Sequence, residues 1–271
     1  SWAGGLAWLV SAAPRGRRGE VLGGAMAAAV FGALLGPVLG AAAALAGTRP
    51  VFAGVAGLSV VLFTWAAATE GIAPEPQPLE ALRSAVRSPR LLGGYWLISL
   101  PALLFGVLVV LVPLQLGHDG WGAVAIGAVF LATTALETVL NPLLGRFSDR
   151  RGPLGPVRVA LLGSIAVSIA LAWAGRPVLI VALVLAAGLA YGSFYTPALA
   201  IISESAEALG IAQGLAFGLM NACWALGAIV GPAAGGGLAQ LAGNTVPYLA
   251  AAGVCVVTYV VARQRVAAVP A

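Results

Sequence analysis

The sequence has very little charge. Its 271 residues include 14 Arg plus Lys and 9 Asp plus Glu, so only 8% are charged, whereas a soluble globular domain carries about 25%. A water-soluble fold is therefore excluded, because too few charged groups are available to cover its surface.

Three residue types that often build functional sites are absent or rare. All basic residues are Arg, so the net charge of +5 does not come from a lysine-rich tail that binds nucleic acid. The two cysteines, Cys223 and Cys255, both lie in apolar segments, which favours neither a disulfide framework nor a thiolate metal site. A single histidine, His118, cannot form a metal site by itself. We therefore expect no metal, no cofactor and no nucleic-acid partner.

Apolar residues dominate what is present. Hydrophobic residues make up 61% of the chain, the mean hydropathy is +1.00, and there are 37 Gly and 17 Pro. Gly and Pro weaken helices in water but are tolerated in membrane helices. At about 20 apolar residues per span, the length suffices for about eight or nine crossings. The sequence predicts an all-α polytopic transmembrane helix bundle, with one partial span and eight full spans at 1–12, 21–46, 50–69, 91–115, 122–144, 157–174, 177–203, 211–240 and 246–262.

The arginines sort by side of the membrane. If every predicted span crosses, twelve arginines lie on one side, and Arg49 and Arg176 lie on the other. Loops on the cytoplasmic side carry the excess of Arg and Lys, so the twelve-arginine side, the C-terminus and the polar linker 70–90 are predicted to be cytoplasmic. In the linker, Leu79, Leu82 and Val86 have helical spacing, which predicts a short surface helix; a solvated loop is the alternative. We expect a multi-pass protein of the plasma membrane.

An internal repeat relates two of the spans. The pattern Gly-x-x-x-Gly-Pro-x-x-Gly occurs in the second span and again 195 residues later in the eighth. An even number of crossings separates the two copies, so both enter the membrane from the same side. This makes them parallel repeats about an axis along the membrane normal. The matching residues are Gly23, Gly32, Gly36, Pro37 and Gly40 in the first copy, and Gly218, Gly227, Gly231, Pro232 and Gly235 in the second.

These features resemble the major facilitator superfamily. The glycine pattern is similar to the fifth-helix motif of its drug/proton antiporters, although the first copy ends Gly40-Ala41 where the family has two glycines. Residues 145–152, GRFSDRRG, resemble the family's short cytoplasmic loop Gly-x-x-x-Asp-Arg-x-Gly, although Pro153-Leu154 stands where the family has a basic pair.

The resemblance implies the major facilitator fold from the end of helix 4 to helix 12. Residues 1–69 would form the remainder of the N-terminal half (the tail of helix 4 and helices 5 and 6), 70–90 the cytoplasmic linker and 91–271 the six-helix C-terminal half. Carried back from residue 91, the offset of the repeat predicts about 104 further residues upstream, a parent of about 375 residues with twelve spans, and no transport by the 271 residues alone.

The resemblance also implies two moving parts. The glycine motifs, Gly32, Gly36, Pro37 and Gly40 with Gly227, Gly231, Pro232 and Gly235, would gate the cavity on its outer side; ordinary close packing of helices is the alternative. The loop residues Gly145, Asp149, Arg150 and Gly152 would form a cytoplasmic latch, with Arg bridging to carboxylates across the interface of the halves; a role in topology alone is the alternative.

Glu137 is the most informative single residue. It lies eight residues before Gly145, which is about 12 Å along a helix and near the middle of a hydrocarbon core about 30 Å thick. An ionised carboxylate there costs about 2.5–3.5 kcal/mol, so Glu137 should carry a proton or face a wet cavity. Thr133, Thr134 and Asn141 extend a polar stripe along the same helix. We predict a proton-coupling role; a packing role, with hydrogen bonds or an Arg partner, is the alternative.

Further residues are predicted to line a substrate cavity, although aromatic stripes at helical spacing also serve packing. Tyr191 and Tyr195 lie deep in one span, Asn221 and Trp224 lie in another, and Trp96 is a cavity candidate or an interfacial anchor. Glu204 and Glu207 are expected to be solvated.

The sequence favours a proton-coupled efflux transporter of small organic solutes that works by alternating access. Its partners would be the bilayer, the solute and protons, and it would act as a monomer. A symporter that imports a sugar or an organic acid is the alternative, and a non-transporting membrane scaffold is a minor one. An enzyme is not expected, because the motifs H-E-x-x-H and G-x-S-x-G are absent and the predicted spans contain no histidine.

Overall fold

The computed structural model describes residues 2–14, 17–69 and 77–267. Within these ranges the chain forms eleven helices and no strand. The helices are α1 (Trp2–Ala12), α2 (Arg18–Ala46), α3 (Thr48–Ala68), α4 (Leu79–Arg87), α5 (Pro89–His118), α6 (Ala123–Arg151), α7 (Leu154–Ala172), α8 (Pro177–Gly192), α9 (Tyr195–Ala208), α10 (Gln213–Ala242) and α11 (Thr245–Ala267).

The long helices form a membrane bundle. In the described part of the chain, seven helical segments are long and apolar enough to cross a bilayer, with α8 and α9 together counted as one segment. The longest have 28 to 32 residues, more than the roughly 20 that a crossing needs. The prediction of an all-α, multi-pass helix bundle is therefore confirmed.

The helix boundaries follow the 195-residue repeat. Shifting α2 by this offset gives 213–241, against 213–242 for α10. Shifting α1 gives 197–207, against 195–208 for α9, and shifting α3 gives 243–263, against 245–267 for α11. The repeat first recognised in the glycine motif thus extends over three helices.

The span predicted at 177–203 is broken in the structure. Helix α8 ends at Gly192 and α9 begins at Tyr195. Because Pro197 has no N–H, it cannot donate the helical hydrogen bond to the carbonyl of Ser193. Next to this missing bond, the Ser193 hydroxyl donates a hydrogen bond to the carbonyl of Leu189, at 2.5 Å. The segment Pro177–Ala208 is still one membrane span, as predicted, but the interruption of its helix was not predicted.

Glycines of the second motif copy allow α10 to contact α5 closely. A Cβ atom at Gly231 would lie 2.8 Å from Leu103 Cα, and one at Gly235 would lie 3.1 Å from Val107 Cα. A side chain at Gly227 would overlap the carbonyl of Ser99. Small residues bring helix backbones together in this way in membranes. The Ser99 hydroxyl adds a 2.7 Å hydrogen bond to the carbonyl of Cys223.

The first motif copy has different surroundings. A Cβ atom at Gly32 would meet no atom within 4 Å in the described part of the chain. The surroundings of Gly36, Pro37 and Gly40 lie outside what the structure describes, although α2 continues through all three.

A second close crossing joins α2 and α6. A Cβ atom at Gly23 would lie 2.6 Å from the backbone oxygen of Asn141, and one at Gly145 would overlap the carbonyl of Gly19. The crossing places the beginning of α2 directly against the end of α6, and the end of the bundle where they meet is called the arginine-rich end below.

Candidate functional site

Asp149, near the end of α6, caps the beginning of α2, which is distant from it in the sequence. Its carboxylate accepts hydrogen bonds from the backbone N–H groups of Gly19, at 2.8 Å, and Glu20, at 2.9 Å. These N–H groups belong to the first turn of α2 and have no partner within their own helix. The negative charge also meets the positive end of the α2 dipole. Asp149, at the end of α6, therefore fixes the beginning of α2.

Ion pairs surround this cap. Arg146 of α6 donates to Glu20 at 3.2 Å, and Arg17 donates to the same carboxylate at 3.0 Å. Glu20 precedes the apolar part of α2, and the hydrogen bonds from Arg17 and then Arg146 lower the pKa of its carboxyl. Arg18 pairs with Glu207 of α9. The arginine-rich ends of α2, α6 and α9 are thus held together by charge.

The four residues of the predicted latch loop have different surroundings in the structure. Gly145 lies in the α2–α6 contact and Asp149 provides the cap, whereas Gly152 ends α6 with a φ of 80°. Arg150 is exposed. Among the described residues, the ion pair from this segment to α2 is made by Arg146, so a bridge by Arg150 stays a prediction.

The sequence led us to expect that Glu204 and Glu207 are solvated, but in the structure both side chains form ion pairs. Glu204 pairs with Arg90 at the beginning of α5, at 2.6 Å, and Glu207 pairs with Arg18. The partners are 114 and 189 residues away in the chain, so no local sequence pattern could have indicated them.

An apolar layer separates the charged end from the interior. Leu6 and Val10 of α1 and Leu22 of α2 are each at most 1% exposed. Beyond this layer lies a cavity of about 760 Å³, whose first lining residue on α2 is Met26. Met26 lies eight residues into α2, about 12 Å from its beginning. The cavity is therefore closed toward the arginine-rich end.

The cavity has a mostly apolar lining that contains one ionisable acid. Glu137 lines it, is 8% exposed and is the sole Asp, Glu, Arg or His among its described lining residues. Five other lining side chains can form hydrogen bonds besides that of Trp2: Thr133, Thr134, Tyr195, Asn221 and Trp224. All five were predicted as cavity residues, and the structure brings them together around Glu137.

The broken span provides the space for Glu137. A Cβ atom at Gly192 would lie 2.8 Å from Glu137 Cγ, and one at Gly188 would overlap the Thr133 side chain. Both glycines belong to α8, on the side that faces α6. Because glycine has no side chain, these two positions leave room for the Glu137 side chain of α6 beside the break between α8 and α9.

Three predicted cavity residues lie elsewhere. Asn141 is 1% exposed and its Oδ1 accepts a hydrogen bond from the Thr196 hydroxyl, at 3.0 Å. The Tyr191 hydroxyl is 2.8 Å from that of Ser168 in α7. Trp96 donates to Thr258 of α11, at 2.9 Å. The prediction that Asn141, Tyr191 and Trp96 line the cavity is corrected, because each side chain is held at a contact between helices.

Sequence reasoning missed several apolar lining residues. Phe105 and Phe130 line the cavity together with Met220 of α10. Phe105 also makes an edge-to-face contact with Tyr191, with ring centroids 5.5 Å apart. Their sequence signal is weak, since an apolar side chain in a membrane helix can equally face lipid.

Metal chemistry finds no support in the described residues, where no group of three or more His, Cys, Asp or Glu side chains could hold an ion.

The comparisons with known proteins identify the family. The family model described as Major Facilitator Superfamily matches residues 1–217. The structure is similar to that of the human organic anion transporter MFSD10 (TETRAN), with a TM-score of 0.78 and 19% sequence identity over 96% of this chain and 67% of that one. At this identity, the likeness shows the fold. No curated protein matches the chain. With four-fifths of its length matched by the family model, the chain belongs to the major facilitator superfamily of membrane transporters.

Proposed function

We propose that the protein is a proton-coupled secondary transporter that exports small organic solutes by alternating access. The observation that carries the proposal is the cavity, which is closed toward one end and contains Glu137 as its one ionisable acid among the described lining residues. The protein would lie in the plasma membrane. From the arginine count, its closed end would face the cytoplasm. The protein would act as a monomer.

The predicted latch and the predicted glycine motifs have separate roles in this cycle. During the cycle, residues 1–69 and residues 91–271, which are joined by the linker 70–90, would move relative to each other. The latch at Asp149 would hold the cytoplasmic end closed and would be released when the cavity opens inward. The close α5–α10 contact at Gly227, Gly231 and Gly235, with its repeat partner around Gly36, would then favour closure of the outer end.

Glu137 is proposed to carry the coupling proton. Its side chain is nearly buried, and no described arginine lines the cavity to neutralise it. An uncompensated charge in a membrane interior is costly, so the empty cavity favours the protonated form. A solute that favours the carboxylate would release the proton, and binding of solute and proton would thus exclude each other, as exchange requires.

The charge of the lining bears on the solute. The fold neighbour is named as an organic anion transporter, but an anion in this cavity would meet Glu137 and no described cationic side chain. Tyr195, Trp224 and the apolar wall favour neutral or cationic amphipathic solutes, because aromatic faces attract cations. Import of an organic acid by symport is correspondingly disfavoured.

Transport by the predicted twelve-span parent, reconstituted in proteoliposomes with an imposed pH gradient, tests the proposal, because the 271 residues alone are not expected to transport. With a panel of neutral and cationic dyes, exchange predicts that solute accumulates in vesicles whose lumen is acidic, whereas symport predicts accumulation when the lumen is alkaline. Glu137→Gln should abolish accumulation driven by the gradient but retain exchange of labelled for unlabelled solute. Asp119→Asn, in the exposed turn after α5, is the matched control and should transport normally. Normal gradient-driven accumulation by Glu137→Gln would exclude Glu137 as the coupling residue.

A further inference from the structure

Helix α4 is held at the level where the membrane begins. Just before it, the Gln77 side chain accepts a hydrogen bond from the backbone N–H of Ala212 at the beginning of α10, at 3.3 Å. Just after it, Ser88 caps α5 by accepting a hydrogen bond from the N–H of Leu91, also at 3.3 Å. Leu91 is the first apolar residue of the α5 span. Helix α4 is therefore tied to two spans at the arginine-rich end.

Side chains of different chemistry form three stripes along α4. Successive residues are about 100° apart around a helix, so Ala81 and Ala85 share one stripe, Leu82 and Val86 the next, and Arg83 and Arg87 the third. Ala85 is fully buried against the bundle, whereas Leu82 is 39% and Val86 55% exposed. The small residues contact the protein, and the larger apolar ones face outward beside the arginines.

The two arginines are free to bind something else. Neither Arg83 nor Arg87 forms an ion pair with any residue in 2–14, 17–69 or 77–267, and both are exposed. In water, the Leu82–Val86 stripe would remain hydrated at a cost in free energy. A helix with an apolar stripe flanked by arginines is suited to the bilayer interface, where its cations meet the phosphate groups.

We propose that Arg83 and Arg87 bind the phosphate headgroups of anionic lipids in the leaflet at the arginine-rich end. Leu82 and Val86 lie in the outermost acyl region next to them. This surface, called the α4 lipid site, consists of these four residues. Because α4 is tied to the beginnings of α5 and α10, bound lipid holds both helix ends at the membrane surface. The proposal does not depend on Glu137 or on the direction of transport.

Lipid titration monitored by native mass spectrometry tests the α4 lipid site. The delipidated protein in neutral detergent is titrated with phosphatidylglycerol and, separately, with phosphatidylcholine. Each arginine near an anionic membrane surface strengthens binding about fivefold. The double variant Arg83→Gln with Arg87→Gln should therefore bind phosphatidylglycerol about 25-fold more weakly and phosphatidylcholine as before. Replacement of both by Lys should restore most of the affinity, which distinguishes lost charge from lost folding.

The control removes two charges from the opposite end. Arg49→Gln with Arg176→Gln should leave phosphatidylglycerol binding within about twofold of the unmodified protein. Unchanged binding in the α4 double variant, or an equal loss in the control, would overturn the proposal. Displacement of the lipid by millimolar inorganic phosphate would also overturn it, by showing a site for free anions.

Discussion

Replacement of Gly231 by Ala directly tests the contact between α5 and α10. The new methyl group would overlap the Leu103 carbonyl oxygen and lie 2.8 Å from Leu103 Cα. These are backbone atoms, which cannot move aside as the end of a flexible side chain could. Overpacking of this kind costs about 1–3 kcal/mol.

A matched variant in the same helix isolates this cost. A Cβ atom at Gly237 would meet nothing within 4 Å in the described part of the chain. Both substitutions gain the same helix propensity of Ala over Gly, up to about 1 kcal/mol, so their difference reports the overpacking alone. At about 2–4 °C per kcal/mol for a chain of roughly this size, Gly231→Ala should unfold about 2–12 °C below Gly237→Ala.

Thermal unfolding of the two purified variants, in the same detergent and monitored by circular dichroism, provides the measurement. Equal midpoints, or a higher midpoint for Gly231→Ala, would show that α10 does not contact α5 through this glycine. The gating proposal for the second motif copy would then lose its structural basis.

Two further predictions concern the arginine-rich end. Asp149→Ala should remove about 0.5–2 kcal/mol of capping stabilisation and accelerate hydrogen exchange at the amides of Gly19 and Glu20; exchange as slow as in the unmodified protein would contradict the cap. Because Arg17 and Arg146 lower the pKa of Glu20 from its ordinary value of 4.5, its stabilising contribution should be complete above that pH and be lost as the pH falls through the lower, folded-state pKa. The thermal midpoint of the unmodified protein should fall more steeply below about pH 4.5 than that of Glu20→Gln, and parallel pH profiles would refute this contribution.

The sequence was sufficient to predict the helices, because their signals are local. Hydropathy placed the span at 211–240, against Gln213–Ala242 for α10, and the glycine motif carried the 195-residue offset that the helix boundaries also follow. The break after Gly192 was missed although its cause is visible in the sequence, since Pro197 lies four residues after Ser193.

The polar stripes were only partly predicted. Helical spacing places Tyr191 and Tyr195 on one face. In the structure, Tyr191 contacts Ser168 of α7, whereas Tyr195, after the interruption at Ser193 and Phe194, lines the cavity. Asn141 lies one turn beyond Glu137, where α2 and α9 cover it. Such coverage depends on which helices are neighbours, and a single sequence does not contain that information.

The ion pairs at the arginine-rich end make the two ends of the bundle respond differently to salt. Several of the paired side chains there are partly exposed, so dissolved ions weaken their attraction, with a screening length of about 10 Å at 0.1 M and about 3 Å at 1 M. The α5–α10 contact depends on the fit of backbone and glycine, to which ionic strength is almost irrelevant. In the proposed cycle, the protein alternates between a state closed at the arginine-rich end and a state closed at the opposite end. Salt added on the side of a sealed vesicle that the arginine-rich end faces should therefore shift the balance between these two states. The same salt on the other side should leave that balance unchanged.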